Sequence, residues 1–124
     1  MRSPEQILRE ARTIAVVGAS PDPARASHRV AAYLERAGYR ILRVNPLCDG
    51  YWPSLAALEE PVDLVDVFRR PEHCADVARE AAAIGAPALW LQLGIRSAEA
   101  RAVAVASEMD YVEDACTAVV HRVI

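Results

Sequence analysis

Short apolar runs alternate along the chain with longer segments in which apolar residues recur every three or four positions. The first run, Thr13–Val17, is rich in β-branched residues and is typical of a strand buried on both faces. In the next segment, apolar residues have helical spacing from Val30 to Ala37. Ser27 is the predicted N-cap of this helix, and Gly38 is placed to end it. The pattern therefore begins as a strand followed by a helix.

The same alternation continues through the rest of the sequence. Further strands are predicted over Tyr39–Val44, Val62–Phe68, Pro87–Leu93 and Met109–Asp114. Helices are predicted over residues 4–11, from Pro71 to about Gly85, and after Ser97, whereas residues 117–124 fit a helix or a strand. Alternating strands and helices indicate βαβ crossovers. We expect a single α/β domain over residues 1–124, with a Rossmann-like, doubly wound, mainly parallel five-stranded sheet and helices on both of its faces.

Ligands of doubly wound sheets bind beyond the carboxyl ends of the strands, close to the point where the strand order reverses. In this sequence the residues at those ends are Gly18–Ser20, Asn45 and Pro46, Phe68 and Arg69, and Gln92–Gly94. A small-molecule site is therefore expected among them.

The turn after the first strand departs from the dinucleotide-binding fingerprint. That fingerprint is G-x-G-x-x-G, whereas here Gly18 is followed by Ala19 and Ser20. Gly18 would let a phosphate approach the main chain, and the backbone N–H groups of the turn and of the helix start could hold a pyrophosphate. The Ser20 and Ser27 hydroxyls could donate to its oxygens. An ordinary strand-to-helix loop, in which Ser27 only caps the helix, explains the same residues.

The end of the second strand makes NAD the second choice of ligand. NAD-binding domains carry an acidic side chain there for the adenosine ribose, whereas this chain has Asn45 and Pro46. An ADP that carries a ribose phosphate fits better, because four arginines lie near the predicted strand ends: Arg25, Arg29, Arg43 and Arg69. Taken one at a time, each arginine is more simply explained as a solvated surface charge.

Composition and charge narrow the classes of partner. The 124 residues carry a formal net charge of −3 and the arginines are scattered, so we expect no nucleic-acid partner. No apolar run is long enough to span a bilayer and no secretory signal is readable, which predicts a cytoplasmic protein without a membrane partner. The three cysteines and three histidines show no metal-ligand spacing, so no metal is expected.

Two further side chains have open interpretations. Gln92 is polar inside an apolar strand, so burial would oblige it to bond either a neighbouring loop or a ligand. Cys116 follows the last predicted strand, where its thiol either faces the site or is buried and inert. No paired carboxylates, nucleophile elbow or other catalytic constellation accompanies them.

Several segments together resemble a known family. They are "VVGAS", "YLERAGYRILRVNP", "YWPSL", "VDLVDVFRRPE", "WLQLGI" and "DAC", together with Ser27, and they cover about Thr13–Cys116. In order and spacing they resemble the small bacterial and archaeal CoA-binding proteins. Those proteins are similar to the CoA-binding domain of the succinyl-CoA synthetase α-subunit standing alone.

The resemblance implies a Rossmann-like domain that binds coenzyme A, or an acyl-CoA, through its ADP part. By position, Gly18, Ala19, Ser20 and Ser27 would meet the pyrophosphate, Asn45 and Pro46 would line the nucleotide, and Phe68 and Arg69 would close the pocket. Arg25, Arg43, Gln92 and Gly94, at or near the strand ends, complete the predicted binding residues. A CoA-binding loop need not carry the full dinucleotide glycine set, which accounts for the departure after Gly18.

We therefore expect a CoA-binding protein that is non-catalytic or regulatory. Two other classes remain open. One is an enzyme, either a small NAD(P)-binding oxidoreductase or an acyl-CoA or thiol-redox enzyme that depends on Cys116. The other is an interaction module that reports the CoA level to a protein partner.

Overall fold

Five parallel strands form one sheet in the computed structural model, which describes residues 1–124. The strands are β1 (Thr13–Val17), β2 (Arg40–Val44), β3 (Leu64–Val67), β4 (Ala88–Leu91) and β5 (Asp110–Val112). The helices are α1 (Pro4–Glu10), α2 (Ala26–Arg36), α3 (Pro71–Ala83), α4 (Ala98–Ala106) and α5 (Thr117–Arg122), and a 3-10 helix covers Leu55–Ala57. The strand order is β2-β1-β3-β4-β5, so the direction of winding reverses between β1 and β3. The predicted Rossmann-like α/β fold is confirmed.

Both faces of the sheet are covered because the central strands are apolar on both sides. Ala15, Val17 and Leu42 pack under α3 and α4, whereas Ile14 and Val16 pack against α1, α2 and α5. This double burial explains why the strand sequences are continuous apolar runs rather than alternating ones. The loops that lead to helices on the two faces separate at the carboxyl edge of the sheet.

The structure confirms one predicted helix N-cap and contradicts another. Ser97 is the N-cap of α4, and its Oγ accepts a hydrogen bond from the Ala100 backbone N–H at 3.0 Å. The prediction that Ser27 caps α2 is wrong, because α2 begins at Ala26 with Arg25 at the N-cap position. The loop before α2 closes its own turns and brings the chain into helical conformation before Ser27, which is buried in the first turn.

The last segment, which the sequence left open, folds as α5 and packs against α1 and α2.

The longest helix, α3, has 13 residues, and no helix combines the length and apolarity that crossing a membrane requires.

Candidate functional site

A cleft of about 480 Å³ opens where β1 and β2 end beside α3. It brings together four of the predicted residues, which are Gly18, Asn45, Pro46 and Arg69. Its other walls come from the connection between β2 and β3 and from α3, and they include Leu47, Pro53, Ser54, His73, Asp76, Val77 and Glu80. The cleft is therefore built from the first three strand ends and from the helix that follows the third.

The wall after β2 is held by a return of the chain toward its own strand. The Asn45 backbone N–H donates to the Trp52 carbonyl at 2.9 Å, and the Trp52 N–H donates to the Arg43 carbonyl at 2.9 Å. This return places Pro53 and Ser54 beside the cleft. Sequence reasoning missed these walls, because pairing of a loop residue back onto β2 has no signature in the local pattern.

The turn after β1 presents two backbone N–H groups that have no protein acceptor, those of Ala19 and Ser20. The turn is braced from β2, because the Asn45 side-chain Nδ2 donates to the Ala19 carbonyl at 2.9 Å. The Ser20 Oγ accepts from the Asp22 backbone N–H at 3.1 Å, which keeps this hydroxyl within the turn. Asn45 thus acts first on the shape of the turn, while the two free N–H groups remain available for an anion.

Gly18 is required by the packing of two strand ends. Its φ is +84°, and a Cβ added there would lie 2.3 Å from the carbonyl oxygen of Phe68. The Phe68 backbone N–H in turn donates to the Val17 carbonyl at 2.8 Å, so the two strand ends are in direct contact. The missing side chain therefore lets the main chains of β1 and β3 approach each other, a reason that the sequence alone does not reveal.

Arg69 is the cleft arginine whose guanidinium makes no ion pair or hydrogen bond with the protein. Its neighbour Arg70 is exposed and paired with Glu72 at 3.2 Å. Arg69 follows Phe68 at the end of β3, and its Cδ would lie 3.3 Å from a Cβ at position 18. The side chain thus begins beside the turn after β1.

The structure does not bring the other predicted arginines to the cleft. Arg43 faces α2 and forms an ion pair with Glu35 at 3.1 Å, and the Arg43 hydrogen bond holds the pKa of Glu35 below its ordinary value. Arg25 is exposed at the N-cap of α2. Arg29 donates to the Ala24 carbonyl at 2.6 Å and braces the loop before α2.

Gln92 is held by two buried side chains on the α5 side of the sheet. Its Nε2 donates to Asp66 Oδ1 at 2.7 Å and to Thr117 Oγ1 at 2.8 Å. Thr117 Oγ1 also donates to Asp66 Oδ2 at 3.0 Å, which closes a ring of three residues. Burial of Asp66 in the central strand raises its pKa to about 7, against the opposing effect of these hydrogen bonds. The neighbouring structure therefore supplies the partners that the Gln92 amide group requires.

Asp66 and Thr117 were missed because they lie 51 positions apart in the sequence and meet only through the sheet and α5. The one available signal was a carboxylate within an otherwise apolar strand, Leu64–Val67. Gly94 is likewise engaged, since its backbone N–H donates to Asp114 Oδ1 at 2.7 Å.

Cys116 lies at the N-cap of α5 and is half-buried. It lines a second groove of about 580 Å³ between α2 and α5, together with His28, Arg29 and Arg122. The thiol makes no hydrogen bond to a side chain that could act as its base. No cluster of three histidine, cysteine, aspartate or glutamate side chains has the geometry to hold a metal ion.

The sheet order and the helices on both faces define a Rossmann-like α/β domain. A family model described as "CoA binding domain" matches residues 12–122, so the chain belongs to the CoA-binding domain family. The resemblance read from the sequence is thereby confirmed.

Similar proteins cover nearly the whole chain. The uncharacterized protein YneT of Bacillus subtilis (strain 168) is 37% identical over 124 residues, which is 96% of this chain and 92% of YneT. The structure of cell-free ID.343 from Thermus thermophilus is 38% identical and covers 98% of both chains with a TM-score of 0.91. A hypothetical protein from Pyrococcus horikoshii OT3 is 29% identical, with a TM-score of 0.92 over 98% of this chain and 91% of its own.

Proposed function

We propose that the protein binds coenzyme A with its ADP part in the cleft between the end of β2 and α3. The observation that carries the proposal is the guanidinium of Arg69, which lines this cleft beside Gly18 without a protein partner. The turn that continues from Gly18 adds two backbone N–H groups without a protein acceptor, those of Ala19 and Ser20. Such donors bind phosphate oxygens, and the cleft volume of about 480 Å³ lies within the range of small-molecule sites.

The charge distribution of the cleft gives the nucleotide a direction. Arg69 lies beside the turn after β1, whereas Asp76 and Glu80 lie one and two turns further along α3 from His73. Asp76 is paired with Arg79 at 2.8 Å, whereas Glu80 has no ion pair. A phosphate near Glu80 would be repelled, so the pyrophosphate belongs at the Arg69 end. The adenine then lies toward Glu80, whose carboxylate can accept from its exocyclic amine.

Apolar residues in the cleft lining favour a flat aromatic base. Pro46, Leu47 and Pro53 contribute to the lining, and Leu47 is 91% exposed. A large exposed apolar side chain at the mouth of a cleft is a surface that a ligand can cover. Packing of the adenine on these residues would bury part of Leu47 without moving the backbone.

The test compares ligands that share parts of CoA. Calorimetric titration with CoA, 3′,5′-ADP, dephospho-CoA and NAD should give tighter binding for CoA and 3′,5′-ADP than for NAD. The reason is that the end of β2 carries Asn45 instead of the acid that would bind the ribose diol of NAD. Tighter binding of NAD would overturn the proposal.

We further propose that the bound CoA undergoes no reaction. The thioester of an acyl-CoA lies at the far end of the pantetheine arm, outside the ADP cleft. Cys116, which follows β5 at the start of α5, makes no hydrogen bond to a side chain that could act as its base. The test is thiol release from an acyl-CoA during prolonged incubation, and release faster than in buffer would overturn this assignment.

A further inference from the structure

The ring formed by Asp66, Gln92 and Thr117 fixes which end of the Gln92 amide points outward. Both hydrogens of Nε2 are used within the ring, one on Asp66 Oδ1 and one on Thr117 Oγ1. Reversing the amide would place Oε1 against an Asp66 oxygen and against a hydroxyl whose own hydrogen is donated to Asp66 Oδ2. While Asp66 is ionised and only accepts, two oxygen–oxygen contacts would replace two hydrogen bonds, so the observed orientation is the stable one in that state.

The remaining polar atom of this amide is Oε1, and it is not sealed inside the protein. Every buried side-chain nitrogen and oxygen of the chain has a hydrogen-bond partner. Oε1 has no partner among protein atoms, so it is the part of Gln92 that solvent or a ligand reaches, although the residue as a whole is only 4% exposed. Gln92 directly follows β4, so this acceptor lies at the carboxyl edge of the sheet.

We propose that Asp66 and Thr117 are positioning residues that hold Gln92 Oε1 ready to accept a hydrogen bond from an amide N–H of the CoA pantetheine arm. This inference rests on the proposed function, which places the pyrophosphate at the turn after β1. β3 separates β1 from β4, so the ends of β1 and β4 are about 10 Å apart. The extended pantetheine arm spans that distance, and its secondary amides supply the donors that an acceptor selects.

The Gln92 side-chain amide restricts which chemical groups of a ligand can bind beside it. The side chain offers no free donor at this place, because both its N–H groups are bonded inward. A phosphate or carboxylate would find no donor on the Gln92 side chain, so this side chain favours an amide N–H. The carboxyl edge thus has donors for phosphates beside β1 and an acceptor for amides beside β4.

Two double variants isolate this oxygen while keeping position 66 constant. Asp66→Asn with Gln92→Glu exchanges the donor and acceptor inside the ring and keeps an outward acceptor oxygen. Asp66→Asn with Gln92→Met has similar side-chain length and removes that acceptor. We expect the first to bind CoA within about threefold of wild type and the second about tenfold more weakly, as loss of one hydrogen bond produces. Both should bind 3′,5′-ADP, which lacks the arm, as wild type does.

The outcomes separate this inference from the proposed function. Equal CoA affinity in the two double variants, or a matching loss for 3′,5′-ADP, would overturn the role of Oε1 while leaving the cleft proposal standing. Failure of wild type to bind either ligand would overturn both.

A second measurement on the wild-type protein needs no variant. The Gln92 side-chain amide protons should exchange slowly with water by NMR, because both are bonded within the buried ring. Gln6, which is exposed on α1, is the internal reference and should exchange rapidly. Equally rapid exchange at Gln92 would overturn the fixed orientation.

Discussion

The carboxyl edge of the sheet has two regions with opposite hydrogen-bonding character. Beside β1, the backbone N–H groups of Ala19 and Ser20 and the guanidinium of Arg69 have no protein partner. Beside β4, the donors of Gln92 and Gly94 are all engaged by other residues. One region therefore offers donors to an anion, and the other is organised internally.

This difference follows from how each region is built. At the β1 turn the polar groups belong to the backbone. The Asn45 side-chain amide donates to the Ala19 carbonyl and holds the turn, so the backbone N–H groups of the turn stay free. At the β4 end the polar group is the Gln92 side chain, which packs beneath α5, where a buried amide must find partners within the protein. A residue at a strand end can therefore lie at the binding edge of the sheet although most of its polar atoms form hydrogen bonds within the protein.

The largest expected effect concerns the contact that shapes the β1 region. Gly18→Ala should lower the free energy of unfolding by about 3–5 kcal/mol, because a Cβ would clash with the Phe68 carbonyl at a positive φ. Gly50→Ala is the matched control, since Gly50 has φ +81° and no atom within 4 Å of an added Cβ, and it should cost about 1 kcal/mol. Denaturant unfolding measures both, and equal losses would show that the Phe68 contact is unimportant.

The next prediction uses the pH dependence of stability to test whether Asp66, in the buried hydrogen-bond ring beside β4, is protonated in the folded protein. The folded protein keeps the Asp66 proton up to about pH 7, whereas the unfolded chain releases it near pH 3.8. The stability that this proton contributes is fully present below about pH 4 and is lost as the pH rises through 7. The free energy of unfolding should therefore fall by up to about 4 kcal/mol relative to Asp66→Asn over this range.

Unfolding of wild type and Asp66→Asn at several pH values measures this difference, and the comparison cancels the other carboxylates. Parallel profiles for the two proteins would mean that folding does not change the pKa of Asp66. Asp66 would then be ionised in the fold above about pH 4, and an ionised Asp66, which only accepts, holds the Gln92 amide in its observed orientation.

The sequence predicted the elements of the fold better than the contacts between them. β1 has the predicted bounds, and β2, β3 and β4 are shorter than predicted by one to three residues. The short last helix was not assigned, since its helical conformation depends on packing against α1 and α2. Local periodicity indicates whether a segment is a strand or a helix, whereas the conformation of this segment depends on tertiary contacts.

The site was predictable where it depends on strand ends and not where it depends on side-chain partners. Gly18, Asn45, Pro46 and Arg69 reach the cleft because parallel strands all end at one edge. The inward role of Gln92 required Asp66 and Thr117, which only the sheet order brings together. Spacing along the chain holds no record of such partners.

The proposed anion site beside β1 is tested by removing its one side-chain charge. Arg69→Ala should weaken CoA binding by about 1–3 kcal/mol, or about 5- to 150-fold, because a charge-assisted hydrogen bond to a phosphate is lost. The loss should be similar for dephospho-CoA, because the proposed partner of Arg69 is the pyrophosphate, which both ligands carry. Arg70→Ala is the control, since Arg70 is exposed and paired with Glu72. Equal effects of the two substitutions would indicate only general charge attraction.

The smallest expected effect concerns Arg43, which the sequence placed among the binding residues and the structure directs toward α2. Its guanidinium bonds both carboxylate oxygens of Glu35, at 3.1 and 3.3 Å, on a largely solvated surface. Such pairs contribute about 0–1 kcal/mol to stability. Arg43→Ala should therefore change the CoA affinity less than twofold and the free energy of unfolding by less than about 1 kcal/mol, measured by calorimetry and denaturant unfolding. A loss of CoA affinity as large as that of Arg69→Ala would mean that Arg43 leaves Glu35 to reach the ligand, and the donor region would then extend from β1 to β2.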